Sequence, residues 1–269
     1  MAEAGRVLNA RVAADAAARL SATARQAVSA RDWPTVGRCA RKLLQIDRRG
    51  AEGWFLSGLA EKAAGNRQRA AAALSRALHY DAGRYDAAVE LAAVHAADVR
   101  NSDAKTLLDR YEPDLANSPY YLHMAATTWT QMGMHARAWP LYQSANALQP
   151  GVEKFQASLA ACAVLMGQID EARSLYLDLL EKHPNHQRNH YELARLERAR
   201  DRSHIDQMIA VLDATGLSPD RNIFLYYAIA KELEDIGEWD ESYRYYKLGG
   251  DAAAGVARAA GYHVDSDVA

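Results

Sequence analysis

The sequence predicts an all-α protein, a right-handed superhelical solenoid of about seven helix-turn-helix repeats. Three observations predict this fold class. The chain resembles itself at a period of about 34 residues. Each period contains two apolar stretches with helical spacing, separated by a Gly or Asn. Of the 269 residues, 49% are apolar, which is enough to bury a continuous core.

The clearest repeat covers residues 51–84 and carries small or aromatic residues at four places, Trp54, Gly58, Ala70 and Ala77. Comparable residues recur in register in two later segments, 119–152 and 153–186. These places are the signature positions of tetratricopeptide repeats, so the chain resembles that family. The resemblance implies a stack of helix pairs whose first helices line a concave groove.

The period also predicts the domain boundaries. An N-terminal helical extension occupies 1–16, the repeat array 17–256, and a C-terminal cap or linker 257–269. The predicted repeats are 17–50, 51–84, 85–118, 119–152, 153–186, 187–222 and 223–256. The last repeat is shifted by two residues because the loop containing Pro219 in the preceding repeat is longer.

Local signals explain why each repeat forms a helix pair. The first helix of about 14 residues turns at a Gly or Asn, as after Ala64 and Met166. Small residues equivalent to Gly58 let the helix axes approach closely. Pro150 and Pro184 stop second helices because proline cannot continue the hydrogen-bond ladder.

Charge and composition exclude several partners. The chain has 32 Lys and Arg against 34 Asp and Glu, a net charge of −2, so no overall field favours nucleic acid or an anionic membrane. The longest apolar runs are far shorter than the roughly 20 residues that span a bilayer. The two isolated cysteines, Cys39 and Cys162, give no metal-binding pair and indicate a reducing, cytoplasmic location.

From His190 onward the sequence becomes more particular. It contains YELARL from Tyr191, LSPDR from Leu217, YAIAKELEDIGEWDESYRYY from Tyr227 and YHVDSD from Tyr262. This part resembles the last repeats and linker of bacterial tetratricopeptide sulfotransferases. The resemblance implies a catalytic domain further along the chain that binds the sulfate donor 3'-phosphoadenosine 5'-phosphosulfate. The phosphate-cradling loop of that domain, of the form PRSGT, is absent from these 269 residues, so we expect no cofactor and no catalytic residue in them.

A binding groove is predicted on the first helices of the fourth to sixth repeats. Its apolar floor would be small side chains of the fifth repeat, and its rim would be tyrosine, histidine and arginine. The predicted groove residues are Tyr120, His123, Thr127, Gln131, Ala157, Ala161, Val164, Arg188, Tyr191, Arg195 and Arg198. An extended protein or peptide segment suits such a groove.

Two simpler interpretations of these residues stay open. The small residues could serve only to allow tight superhelical curvature. Arg195 and Arg198 could be used up in ion pairs between repeats, with Glu234 and Asp235 as partners. For Tyr191, the alternative to a groove position is packing between repeats.

The histidines of HPNHQRNH, namely His183, His186 and His190, have a spacing that can ligate zinc. Pro184 places the first two in a turn between repeats, with no cysteine nearby, so we predict a solvated turn and no metal site.

These observations favour a protein-binding or peptide-binding domain without enzymatic activity of its own. The preferred interpretation is the non-catalytic, substrate-recruiting or oligomerising N-terminal part of a bacterial sulfotransferase. The alternative is a free-standing scaffold that assembles a protein complex through its concave groove. A homo-oligomer is compatible with both.

Overall fold

The computed structural model describes residues 2–216 and 218–262, and for residues 2–11 and Thr215 it describes the backbone only. Leu217 of LSPDR and all of YHVDSD after Tyr262 lie outside the described residues, as do 263–269 of the predicted cap or linker. Every regular element in the described part of the chain is a helix, which confirms the predicted all-α class. The chain forms two compact units, Met1–Pro150 and Gly151–Ala269.

The first unit contains eight α-helices in its described residues, and short turns join them into pairs. In chain order they are α1 (Ala2–Ser29), α2 (Trp33–Ile46), α3 (Ala51–Ala63), α4 (Arg67–Tyr80), α5 (Tyr85–Ala97), α6 (Asn101–Tyr111), α7 (Pro119–Gln131) and α8 (His135–Leu148), with a 3₁₀ segment at Glu112–Leu115 after α6.

The second unit contains six α-helices in its described residues. They are α9 (Glu153–Leu165), α10 (Ile169–Lys182), α11 (Gln187–Ala194), α12 (Ser203–Thr215), α13 (Ile223–Asp235) and α14 (Trp239–Ala259), with a 3₁₀ segment at Pro219–Arg221 before α13. Pro150 and Pro184 each follow the end of a helix by two residues, as expected of residues that cannot continue one.

The turn inside most helix pairs contains a residue with positive φ. Gly65, Gly133, Gly167 and Gly237 have φ between 74° and 84°, the left-handed region that glycine adopts without steric penalty. Val99 occupies the same place between α5 and α6 with a φ of 60°. A β-branched residue is strained there, so this turn is formed against local preference.

Small residues set the distance between paired helices. A Cβ atom placed on Gly58 of α3 would lie 2.6 Å from Cγ of Leu74 on α4, closer than real carbon atoms approach. Ala70 and Ala77 of α4 are fully buried. The close packing of α3 on α4 therefore depends on small residues at Gly58, Ala70 and Ala77.

Two of the predicted boundaries fall inside helices rather than between them. Helix α1 continues from Ala2 to Ser29, so the predicted extension at 1–16 and the start of the first repeat share one helix. Helix α14 continues to Ala259, past the predicted end of the array. Apolar side chains such as Leu20 of α1 pack on the core, and no proline interrupts either helix.

The sixth pair departs from the regular pattern. Its first helix, α11, ends after eight residues, and residues 195–202 are irregular. Arg198 donates from Nε and Nη2 to the Asp235 carbonyl at 3.2 and 3.0 Å, and the Ala199 amide donates to the Asp235 carboxylate at 2.9 Å. These bonds hold Arg198 and Ala199 against α13, so α11 does not continue past Ala194.

Candidate functional site

The first helices of the second unit line an open cavity of about 460 Å³. Three of the predicted groove residues, Ala157, Ala161 and Arg188, lie in its wall. The side chains of Ala157 and Ala161 are half-buried and exposed, respectively, and leave space above α9. The cavity is also lined by Glu153, Lys154, Ser158, Tyr176, His186, Asn189 and Glu192.

Beside this cavity lies a group that we call the aromatic platform, formed by Tyr191 of α11, Phe224 of α13, and two arginines. The Tyr191 and Phe224 rings are 5.4 Å apart between centroids. The guanidinium of Arg195 lies 5.3 Å from the Tyr191 ring centre, and that of Arg188 lies 5.9 Å from the Phe224 ring centre. Phe224 is 42% exposed, so part of the platform is open to the solvent.

The platform is positively charged on balance. Arg188 and Arg195 both pair with Glu192, at 3.6 and 3.4 Å, so two guanidiniums share one carboxylate. Both arginines are largely exposed, and exposed pairs of this kind contribute about 0–1 kcal/mol to stability. Most of their donors therefore stay available to a ligand.

The structure corrects the predicted groove position of Arg198, and it places Val164 outside the wall of this cavity. Arg198 is bound to the Asp235 carbonyl and lines a different cavity, between the second helices of the fifth and sixth pairs. Arg198 thus contacts Asp235, as the ion-pair alternative expected, but through the Asp235 backbone oxygen, because the carboxylate is bound by Lys231 and the Ala199 amide. Val164 is half-buried against the core of the second unit.

In the first unit, Tyr120, Thr127 and Gln131 are exposed and His123 is not. His123 is only 5% exposed, and its ring lies edge-on to Tyr142 at 5.4 Å. His123 is therefore a packing residue between α7 and α8, which corrects its prediction as a groove anchor. The sequence suggested a groove position because His123 precedes Thr127 by one helical turn.

The Thr127 hydroxyl forms two hydrogen bonds within the protein. It donates to the His123 carbonyl at 2.8 Å and accepts from the Tyr142 hydroxyl at 3.2 Å. Tyr120, by contrast, is 51% exposed and contacts the Tyr121 ring at 5.0 Å. Burial raises the pKa of both Tyr120 and Tyr121, and nearby Glu90 raises it further, so both stay protonated hydrogen-bond donors.

The predicted groove residues are thus distributed over both units, four in the first and seven in the second. Sequence reasoning missed Phe224, Lys154 and Glu192 on the second unit and Tyr121 on the first. Phe224 occupies the same place at the start of α13 as Arg188 does at the start of α11, one residue after the first. Extending the groove register to the seventh repeat would have found it.

The three histidines of HPNHQRNH do not converge. His183 is exposed, and His186 lies 3.0 Å from Glu153 and accepts from the Asn189 amide. His190 is buried and contacts His204. Within the described ranges, no three His, Cys, Asp or Glu side chains are placed to hold a metal ion. Nor is any described helix long and apolar enough to cross a membrane.

Comparison with known proteins agrees with this architecture. Residues 130–201 match the family model described as tetratricopeptide repeat. No curated protein matches the chain. Solved structures do: PilF of Pseudomonas aeruginosa matches with a TM-score of 0.56 and 13% identity, over 87% of this chain and 98% of its own.

Two further solved structures are similar. YrrB, described as a TPR protein with an unusual peptide-binding site, has a TM-score of 0.52 and 15% identity over 77% of this chain and 97% of its own. The Cut9–Hcn1 assembly of the APC/C has a TM-score of 0.60 and 14% identity over 79% of this chain and 43% of its own. The helix pairs and these similarities together show that the chain has the tetratricopeptide solenoid fold.

Proposed function

We propose that the chain is a protein-binding scaffold whose second unit holds an extended acidic peptide segment on the face made by α9, α11 and the start of α13. The aromatic platform carries this proposal. It combines the half-buried ring of Tyr191 and the exposed ring of Phe224 with two arginines that are only half neutralised by Glu192.

Each part of this face has a role in the proposed binding. The small side chains Ala157 and Ala161 leave room for a peptide backbone to approach α9. The rings of Tyr191 and Phe224 supply apolar contact area at low conformational cost. Arg188 and Arg195 attract acidic side chains and form charge-assisted hydrogen bonds with them.

The peptide-binding site reported for YrrB supports a peptide ligand for this solenoid. A fold alone does not choose a ligand, so the residues of the platform must carry the specificity.

The test is a selection of short random peptides on the immobilised protein, followed by titration of the selected peptides. We expect enrichment of Asp and Glu beside apolar residues, with affinity that falls as salt concentration rises. Tyr191→Ala should weaken binding by about 1 to 3 kcal/mol without lowering the melting temperature. Tyr243→Ala is the matched control, because Tyr243 is an exposed tyrosine on α14, away from this face.

Two outcomes would contradict the proposal. Selected peptides that bind Tyr191→Ala as tightly as the unmodified protein place the site elsewhere. A lowered melting temperature with unchanged affinity means that Tyr191 serves packing between repeats.

A more specific role follows from the residues from His190 onward, which resemble the last two repeats and the linker of bacterial tetratricopeptide sulfotransferases. In that role the scaffold would recruit a protein substrate, or pair protomers, for a sulfate-transferring domain, and would carry no catalytic residue itself. The mass of the native protein from its source tests it. A mass well above that of these residues supports the sulfotransferase role, and a native chain that ends at Ala269 supports a free-standing cytoplasmic scaffold.

A further inference from the structure

A cavity of about 930 Å³ lies in the second unit between α10 and α12, lined by second helices of the pairs and by the irregular segment after α11. Its walls combine polar and charged side chains with apolar ones, which include Leu177, Leu180, Leu193 and Val211. Leu177 is 42% exposed, so this apolar surface is open to a ligand. The size lies within the range of small-molecule sites.

The cavity exists because the apolar residues of the second unit form two separate clusters. One cluster joins α9, α10 and α11 through residues such as Tyr176 and Leu179. The other joins α12 and α13 through residues such as Met208 and Ile229. The segment 197–199, which is bonded to α13, holds the wall in place, so the opening is formed before any ligand arrives.

A chain of polar groups lines part of the cavity, with His190 and Glu232 buried and His204 partly exposed. His190 Nε2 lies 2.7 Å from the Pro184 carbonyl oxygen, and His190 Nδ1 lies 2.9 Å from His204 Nε2. His204 Nδ1 lies 2.7 Å from Glu232 Oε1. His190, His204 and Glu232 all line the cavity.

Counting protons fixes the charge of this chain. Because a carbonyl only accepts, His190 Nε2 carries a proton, and each of the other two bonds also needs one. Three protons on two imidazoles and one carboxyl group give zero net charge. This holds whether the third proton sits on an imidazole or on Glu232 Oε1.

The second oxygen of Glu232 has no partner. Glu232 is 5% exposed, and its Oε2 atom is buried without a hydrogen bond. With Oε1 engaged by His204, Oε2 can only accept. An unsatisfied buried acceptor destabilises the folded protein, so a donor placed in the cavity would be bound favourably.

The charge balance selects the kind of donor. A neutral N–H or O–H group satisfies Oε2 and leaves the polar chain neutral. An ammonium group would add an unbalanced buried charge, because the three arginines of the cavity wall are already matched by three carboxylates, Glu181, Glu197 and Asp201.

We propose that this cavity binds a small apolar molecule carrying a neutral N–H or O–H donor, which bonds to Glu232 Oε2. The site is distinct from the peptide face, which is built from first helices, and it does not depend on that proposal.

Two isosteric probes test the inference directly. Indole has an N–H donor, whereas benzothiophene has nearly the same shape and none. Titration followed by the imidazole resonances of His190 and His204 should show saturable binding of indole, at least tenfold tighter than that of benzothiophene. Equal affinities, or no binding of indole, would overturn the proposal.

Three variants locate the binding. Ala210→Trp fills the cavity from its exposed wall and should abolish indole binding, whereas Ser174→Trp, on the exposed surface of α10, should not. Glu232→Gln should reduce the preference for indole over benzothiophene. If that variant does not fold, the probe pair and Ala210→Trp still decide the matter. Indole binding that survives Ala210→Trp contradicts the site, and Tyr191→Ala should leave indole binding unchanged.

Discussion

At the scale of single residues, Val99 is the clearest conflict between local preference and fold. It has a φ of 60° and is 80% exposed, in the turn where Gly65 and Gly133 serve the neighbouring pairs. Val99→Gly removes the strain of a β-branched residue in the left-handed region, and we expect stabilisation of about 1 kcal/mol. Urea denaturation measures the change.

The same substitution at an exposed helical valine controls for the general effect of glycine. Val12 lies in α1 and is 57% exposed, so Val12→Gly should destabilise by about 0.5–1 kcal/mol. If Val99→Gly destabilised the protein as much as Val12→Gly, the turn at Val99 would not be strained.

His190 predicts how stability depends on pH. Burial, as the largest cause, lowers the pKa of its imidazole below the usual value of 6.5, and the nearby His204 lowers it further, although the bond to Pro184 opposes the shift. Below pH 6.5 the unfolded chain therefore binds a proton that the folded chain rejects. The free energy of unfolding should fall as pH decreases from 6.5 toward the folded-state pKa, by up to about 1.4 kcal/mol per pH unit.

The check compares unfolding of the unmodified protein with that of His190→Gln between pH 7.5 and 5. The variant should be less stable at neutral pH and less sensitive to acid. Because His95 in the first unit also has a lowered pKa, caused mainly by burial, part of the acid sensitivity should remain. An identical pH dependence in both proteins would contradict the assignment.

At the scale of helices, α10 shows how packing depends on a small residue. Ala172 is fully buried and stands at a signature position of the repeat. Ala172→Glu would bury an unpaired carboxylate at a close helix crossing, so we expect destabilisation of at least several kcal/mol. Ser174→Glu, on the exposed side of the same helix, should change stability by about 0.5 kcal/mol or less. Thermal unfolding distinguishes them, and equal melting temperatures would show that the repeat register is wrong.

Also at this scale, the sequence predicts helix pairs better than helix lengths. The pattern predicts a full first helix in the sixth repeat, and α11 ends after eight residues. The reason lies far along the chain, since Asp235 binds both Arg198 and the Ala199 amide. A pattern in neighbouring residues of the sequence cannot predict a contact between residues more than 30 positions apart.

At the scale of the whole molecule, we predict no tight binding of 3'-phosphoadenosine 5'-phosphosulfate by these residues. The sequence contains no phosphate-cradling loop of the forms PRSGT, GxxxxGK[ST] or GxGxxG, and the described part contains no strand to lead into one. Calorimetry should show no saturable heat on a preparation that binds a selected peptide. Stoichiometric micromolar binding of the donor would contradict the prediction.

The sequence by itself determined the fold class. The signals that predict it are local: helical spacing, turn glycines such as Gly133 and helix-ending prolines such as Pro184. They recur from repeat to repeat. Repetition turns weak local evidence into a reliable architecture, because every helix pair must bury its apolar face on the next. The predicted use of Tyr191 in a groove likewise follows from its position along a helix, and binding at that face stays a prediction.

Only the tertiary structure decided which side chains act together. It placed Tyr191 against Phe224, buried His123 in the contact of α7 with α8, and linked His190, His204 and Glu232 in one hydrogen-bonded chain. These groups come from different helices and are as many as 42 positions apart, between His190 and Glu232. Their spacing depends on how far helices approach and where one helix stops, and those distances are set by packing between pairs rather than by any local pattern.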